Sequence, residues 1–262
     1  MMLLPLAALF FLACPLLTVT EVSDTTKPLA GQTKLVIRNQ NGGVQLSRTS
    51  DSSVALHVTK RVTGPNQAEC QSRLSDIQVA VTDTGSSIGV FVDLPSGGTY
   101  SYGVDIEARL PASLETDIRS SNGDISASEF SSPVKLATTN GTIDVSNVSA
   151  QVDVATTNGR ISLDGIVGSV KGTSSNGSIE VETALPDSGF CRLENSNGSV
   201  TLRIPESTSA QIFVTTTNGE IRHNNLVIAG NVGRQQIDGR LGEGGGDIYV
   251  TTTNADVVLS GY

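Results

Sequence analysis

The sequence contains few residues of the types that perform catalysis or bind metals. It has two histidines, His57 and His223, which lie too far apart to form a metal-ligand pair of the usual spacing, and it has no Cys-x-x-Cys motif. The glycine-rich segment 242–247 resembles the calcium-binding nonapeptide of β-rolls, but it occurs once and that motif acts in series. We therefore predict no catalytic residue, no cofactor and no metal site.

The carboxylates also lack the arrangement that a glycan-cleaving enzyme needs. Such enzymes place two carboxyl groups on either side of the scissile bond. One column of the repeat described below contains Asp124, Thr142, Arg160 and Ser178, so its charges are dispersed. The chain also has no tryptophan, which weakens the case for sugar binding. A polysaccharide-active β-helix enzyme remains the alternative to a binding protein.

The three cysteines have different expected roles. Cys14 lies in the apolar N-terminal segment, in a phrase that resembles a bacterial lipobox, and is a possible lipidation site. Cys191 occupies an apolar column of the repeat, so we expect it to be a buried, reduced thiol. We place Cys70 near one end of the fold and expect no bridge between Cys70 and Cys191.

An internal repeat is the main structural signal. The phrase Ser-Ser-Asn-Gly or Thr-Thr-Asn-Gly recurs at steps of 18 and then 21 residues, with an earlier copy at Asn41 and a final variant at Asn254-Ala255. The predicted structural turn residues are Asn122, Gly123, Asn140, Gly141, Asn158, Gly159, Asn176, Gly177, Asn197, Gly198, Asn218 and Gly219. Apolar residues alternate with polar residues on both sides of each Asn-Gly, which is the period of a strand. Each unit is therefore strand, turn, strand, turn.

Two architectures fit this unit, an antiparallel meander and a β-solenoid. In a meander, Asn-Gly would be a type I′ hairpin turn. In a solenoid, equivalent residues stack, so identical Asn side chains can form a hydrogen-bonded ladder. The sameness of the turns favours an all-β fold that is a single-stranded β-solenoid or β-helix, with coils of 18–21 residues and Asn-Gly corners. We expect Gly141 and Gly159 to adopt positive φ, Arg160 to point outward, and Asn254 to lie in the last coil.

The chain divides into a leader and one domain. Met1 to Val19 carry no charged side chain, and residues 1–20 are predicted to be a signal peptide or lipoprotein signal. Soluble export and an uncleaved anchor remain alternatives. Residues 33–262 predict a single solenoid domain, less regular over 33–110 and regular over 111–262. In the less regular part we expect strands at Val54–Val58, Ile77–Val81, Ile88–Val92 and Val104–Leu110, and a short capping helix at Asn66–Leu74.

The charge balance restricts the partners. The formal net charge is −9 and there is no run of basic residues, which argues against nucleic acid and against an anionic membrane surface. We expect membrane contact only through an N-terminal anchor.

Repeats of the form T-T-N-G-x-I-x-V resemble those of the bacterial putative-adhesin family, a domain of unknown function in cell-envelope proteins. The closing stretch from Gly242 to Asn254 resembles the usual ending of that family. The resemblance implies a β-solenoid, an envelope location and no catalytic residues. We therefore expect an exported, non-catalytic binding or scaffolding protein, adhesin-like, whose partner is an envelope protein or a surface polymer.

Overall fold

The computed structural model describes residues 16–262, and most of this part of the chain forms two β-sheets. Sheet A contains β1 (Leu17–Pro28), β3 (Val44–Thr49), β4 (Ser53–Gly64), β7 (Ser101–Pro111), β9 (Ile125–Ser128), β11 (Ile143–Ser146), β13 (Ile161–Val167), β15 (Ile179–Ala184), β17 (Val200–Ile204), β19 (Ile221–Asn224) and β23 (Val257–Gly261). Sheet B contains β2 (Lys34–Arg38), β5 (Gln78–Asp83), β6 (Ser87–Asp93), β8 (Glu115–Arg119), β10 (Val134–Ala137), β12 (Val152–Thr156), β14 (Val170–Ser174), β16 (Phe190–Asn195), β18 (Ala210–Thr216), β20 (Ile228–Val232), β21 (Gln236–Leu241) and β22 (Gly246–Thr252). The prediction of an all-β fold is confirmed.

In the middle of the molecule the strands pair in parallel, in register with the repeat. Val134 lies beside Val152, and Val152 beside Val170 in sheet B, while Ile143 lies beside Ile161 in sheet A. Here each strand of sheet B passes through an Asn-Gly turn, or in one case through Asn254-Ala255, into a strand of sheet A. We call one such strand pair with its turn a level. Equivalent residues of adjacent levels are therefore neighbours, about 4.8 Å apart.

The core lies between the two sheets and consists of the inward columns of the repeat. In sheet A the column formed by Ile125, Ile143, Ile161 and Ile179 is fully buried. The alternate residues of the same strands face solvent, as the burial patterns of β9, β11 and β15 show. Branched aliphatic side chains suit these positions because they pack well on a pleated surface. All the core residues join in one hydrophobic cluster.

Antiparallel strands complete both ends, so the two sheets are mixed and the parallel arrangement of a solenoid is confined to the levels between them. At the N-terminal end β1 pairs with β4, β4 with β7, and β5 with β6; at the C-terminal end β18 pairs with β21 and β21 with β20. These strands belong to the segments in which the 18-residue spacing lapses. Without a repeating turn to return the chain in the same direction, consecutive strands pair as hairpins, which need only short connections.

The order of the levels differs from the order of the sequence. The level formed by β22 and β23, which contains Asn254, lies between the level of β16 and β17 and that of β18 and β19. The expectation that Asn254 occupies the last level is therefore wrong. The excursion through β20 and β21 lets the chain return and insert its final two strands.

The predicted helix and the four irregular strands are present. Helix α1 (Gln67–Arg73) begins after Asn66, whose side chain accepts hydrogen bonds from the amides of Ala68 and Glu69, and a 3-10 helix (Leu74–Asp76) follows. The helix packs against β1 and β4 and buries Cys70. The strands expected around residues 54, 77, 88 and 104 are β4, β5, β6 and β7.

Within residues 16–262, no helix has the length and apolar character needed to cross a bilayer. Cys14 and most of the predicted signal lie outside the described residues. β1 begins at Leu17, inside the segment assigned to that signal.

Candidate functional site

The asparagines of the turns form a continuous hydrogen-bonded column along one edge of the rod. In each bond the side-chain Nδ2 donates to the Oδ1 of the asparagine on the adjacent level, at 2.6–2.8 Å. In spatial order the column consists of Asn41, Asn122, Asn140, Asn158, Asn176, Asn197, Asn254 and Asn218. Each side-chain amide between the two ends uses one donor and one acceptor position within the column, while Asn41 only accepts and Asn218 only donates. We call this edge the asparagine edge.

A second column of polar residues lies beside the asparagines. These residues precede each asparagine and are Gln40, Ser121, Thr139, Thr157, Ser175, Ser196, Thr253 and Thr217. All are exposed except Ser175, which is half-buried. Their backbone carbonyls accept hydrogen bonds from the asparagine amides of the next level, for example Asn140 N to Ser121 O at 2.9 Å. The edge thus presents hydroxyl and amide groups at a spacing of about 4.8 Å.

The first residue of the turn phrase faces the core, a role that the sequence analysis missed. Thr138 Oγ1 donates to the carbonyl of Gly123, and Thr156 Oγ1 to the carbonyl of Gly141, both at 3.1 Å. Both threonines are buried, and the glycine carbonyls that they contact are therefore shielded from water. The hydroxyls supply the hydrogen bond that water would otherwise make. The available signal was that this position is always Ser, Thr or Asn.

From Gly141 onward the turn glycines are required for close backbone stacking and not for positive φ, whereas Gly42 (φ 120°) and Gly123 (φ 159°) also have positive φ. Gly141 and Gly159 do not have positive φ, so that expectation is wrong. A Cβ built on Gly159 would overlap the carbonyl oxygen of Gly141, and one on Gly177 would overlap that of Gly159. Every turn glycine from Gly123 to Gly219 shows the same overlap with the neighbouring level. In the described chain, Ala255 is the only residue of this column that is not glycine.

The outer face of sheet A is polar and has concavities, one lined by Asp144 and Asp164 and another by Asp164, Glu180 and Glu182. One of its columns contains Gln45, Ser126, Asp144, Ser162, Glu180 and Thr201. Exposed ion pairs cross it, including Arg160–Asp144 at 3.7 Å and Arg203–Glu182 at 2.7 Å. Arg160 is outward-facing, as expected. Among residues 16–262, no group of three or more His, Cys, Asp or Glu is placed to hold a metal ion.

The outer face of sheet B combines charges with aromatic rings. Asp117 lies within 4 Å of Lys34, Arg38 and Arg119. Burial by itself would raise the pKa of Asp117. The hydrogen bond from Arg38 and the positive charges of all three residues outweigh burial, so the pKa is lowered. Farther along the same face, the rings of Tyr249 and Phe213 stack with centroids 5.6 Å apart, and the Arg192 guanidinium lies 5.0 Å from the Tyr249 centroid. These side chains contact each other across adjacent strands, which stabilises the sheet.

The two histidines and the Gly-x-Ser-x-Gly segment of the described residues lie on different strands, β4, β19 and the β5–β6 hairpin. His57 Nδ1 lies 2.7 Å from Asp24 Oδ1 on the exposed face of β4. His223 lies beside the buried Leu259 but is itself exposed, because β19 is the last strand of sheet A. Residues 85–89 have the Gly-x-Ser-x-Gly spacing, which the sequence analysis overlooked. A nucleophilic serine in this motif lies on a turn between a strand and a helix. Here the segment belongs instead to the β5–β6 hairpin, and Ser87 hydrogen-bonds Thr84.

Cys70 and Cys191 are both buried free thiols. Burial raises the pKa of Cys191 to about 12, so its reactive thiolate form is scarce at neutral pH. The thiol packs between the valine of the preceding level and Ile248 of the following one. It therefore acts as a small apolar side chain, as expected.

A family model described as Toastrack DUF4097 matches residues 30–260. The chain belongs to this family. The Toastrack match spans both the regular levels and the irregular N-terminal strands. No curated relative matches the sequence.

Several solved structures are similar to this Toastrack chain. A putative cell adhesion protein from Clostridium sporogenes ATCC 15579 is 10% identical, with a TM-score of 0.42 over 93% of this chain and 100% of that chain. A putative adhesin from Bacteroides fragilis NCTC 9343 is 12% identical, with a TM-score of 0.43 over 92% and 97%. A putative lipid binding protein from Parabacteroides distasonis ATCC 8503 is 10% identical, with a TM-score of 0.39 over 92% and 96%.

The glycine column leads to a stability prediction. We expect Gly159→Val to lower the free energy of unfolding by about 3 kcal/mol or more, because the new side chain forces two levels apart and overpacking alone costs about 1–3 kcal/mol. The neighbouring change Arg160→Ser, on an exposed side chain, should cost less than about 0.5 kcal/mol. Urea melts of both variants beside the wild type provide the measurement. Equal midpoints for Gly159→Val and the wild type would contradict close stacking of the turns.

Proposed function

We propose that this protein is a non-catalytic binding or scaffolding module of the cell envelope, and that its asparagine edge is the binding surface. The observation that carries the proposal is the pair of exposed polar columns along that edge. Their donors and acceptors repeat at the spacing of the levels, which suits a partner with repeated polar groups. Such a partner is a surface polymer or an extended protein strand.

The repeat explains how such a surface is maintained. We infer that the repeating unit is a solenoid coil of 18–21 residues that contributes one strand to each sheet. Each coil adds one asparagine and one hydroxyl or amide residue to the edge. Because the turns stack in register, adding a coil lengthens the surface without changing its chemistry.

The arrangement of the carboxylates supports binding over catalysis. On the outer face of sheet A, Asp144 and Glu180 lie on β11 and β15, with Ser162 of β13 between them. They project from the same face of one sheet, whereas glycoside hydrolysis needs two carboxyl groups facing each other across the substrate. This favours the binding role over a polysaccharide-active enzyme.

We also propose export with a lipid anchor at Cys14. Lipidation at Cys14 would leave all of β1 in the mature chain, since β1 begins at Leu17. Cleavage after residue 20 would instead remove Leu17, which pairs with Gly64, and the three residues that follow it. An intact β1 therefore supports the lipoprotein signal over a signal peptide that is removed up to residue 20.

The binding surface can be tested by capture from envelope extracts. The wild-type chain as bait should retain a partner that a Thr139→Lys/Thr157→Lys variant does not, because the lysines obstruct the centre of the asparagine edge. The matched control is Ser126→Lys/Ser162→Lys, which places the same charges on the outer face of sheet A and should retain the partner. If no partner is retained above empty beads, or if both variants behave alike, the proposed edge is wrong.

The anchor has its own test. Metabolic labelling with a fatty-acid probe should mark the wild-type chain and should not mark Cys14→Ala, since the thiol is the attachment point. The Cys14→Ala protein should also move from the membrane fraction to the soluble exported fraction. Equal labelling of both proteins would rule out lipidation at this residue.

A further inference from the structure

The two sheets end at different heights at the C-terminal end of the rod. Sheet A stops at β19, whereas sheet B continues beyond the level of β18 and β19 through β21 to β20. No strand of sheet A within residues 16–262 lies opposite β21 and β20. The core side of β20 is therefore open at this end, whereas the core-side residues of β21, Ile237 and Leu241, are buried.

Strand β20 leaves apolar side chains exposed at that opening. Ile228 pairs with Leu241, and Val232 pairs with Ile237, both of which are buried core residues. Ile228 and Val232 thus lie on the core side of sheet B, yet Val232 is 42% exposed and Ile228 is only partly buried. Val227, directly before the strand, is 90% exposed. An apolar surface continuous with the core is normally covered.

The free edge of β20 also lacks the features that keep edge strands apart. Proteins protect exposed edges with charges, prolines or short strands. β1 carries Glu21, Asp24 and Lys27 and ends in proline, β5 carries Asp83, and β19 has four residues including Arg222. By contrast, residues 224–233 around β20 contain neither a charge nor a proline. Of the four edge strands in the described chain, β20, which has five residues, is the one with neither a charged residue nor a proline.

The sequence of β20 fits a second copy of itself. Ile228-Ala229-Gly230-Asn231-Val232 has a β-branched residue at each end, a small residue inside each of these, and glycine at the centre. In an antiparallel pair centred on Gly230, Ile228 of each chain lies opposite Val232 of the other chain. Such a self-complementary contact is what a two-fold symmetric dimer requires.

We propose that the protein forms an end-to-end dimer through antiparallel pairing of β20 with β20 of a second copy. Sheet B then becomes continuous across the two chains, and Ile228 and Val232 of one chain lie beside Val232 and Ile228 of the other. The two asparagine edges extend away from the junction in opposite directions. The N-termini lie at the two far ends of the assembly, since β1 is at the opposite end of the rod.

The dimer is tested by sedimentation of the full chain carrying Cys14→Ala, which removes the proposed anchor. The protein should sediment as a dimer, and Val232→Lys should weaken association by at least about 100-fold, because a charge enters the apolar contact. The matched control is Val22→Lys on β1, an edge valine that is 53% exposed, and it should remain dimeric. A monomeric parent protein at all concentrations, or dissociation by Val22→Lys and not by Val232→Lys, would overturn the proposal.

A cross-linking experiment fixes the register and does not depend on the stability of Val232→Lys. Chains with Ala229→Cys mixed with chains with Asn231→Cys should form an intermolecular disulfide on mild oxidation, because these positions face each other across the pair. Each variant alone should cross-link far less, since identical positions are offset along the strands. Equal cross-linking in all three samples would refute the register. Envelope binding by a chain that fails both tests would leave the proposed function intact and eliminate only the dimer.

Discussion

The close stacking of the Asn-Gly turns is the constraint on which the rest of the structure depends. At each turn the backbone of one level contacts the glycine carbonyl of the next, leaving no room for a side chain at most levels. The same carbonyl must be satisfied inside the protein, which requires a hydroxyl or amide two residues before the asparagine. The asparagine then faces outward and bonds its neighbours. One geometric requirement thus accounts for the Ser/Thr, Asn and Gly positions of the repeat.

The repeat also explains which parts of the fold could be predicted from the sequence. Strand positions follow from the alternation of apolar residues, which is a local signal, and the helix after Asn66 follows from its capping side chain. The glycine conformation could not be predicted in this way, since both positive φ and backbone contact call for glycine. The turn phrase alone does not distinguish these reasons. Only the position of the neighbouring level shows which of the two reasons applies.

The order of the levels and the ends of the sheets depend on non-local pairing. Asn254 follows two threonines, as Asn218 does, and neither this phrase nor its spacing shows that it lies between Asn197 and Asn218. His223 belongs to an apolar column by its position in the repeat, yet it is exposed because sheet A stops at its strand. The unequal ends of the two sheets, which create the open surface at β20, arise from the same excursion of the chain. The candidate binding edge was predictable as a column of turns, while the free edge was not.

The order of the stacked turns can be measured directly by disulfide formation at the exposed residues before the asparagines. Ser196 and Thr253 lie on adjacent levels, about 4.8 Å apart, whereas Ser196 and Thr217 are two levels apart, at about 9–10 Å. A disulfide needs Cα atoms within about 7 Å. Mild oxidation should therefore bridge the Ser196→Cys/Thr253→Cys protein and leave Ser196→Cys/Thr217→Cys reduced. The opposite pattern would show that the levels stack in sequence order and would contradict the continuous column.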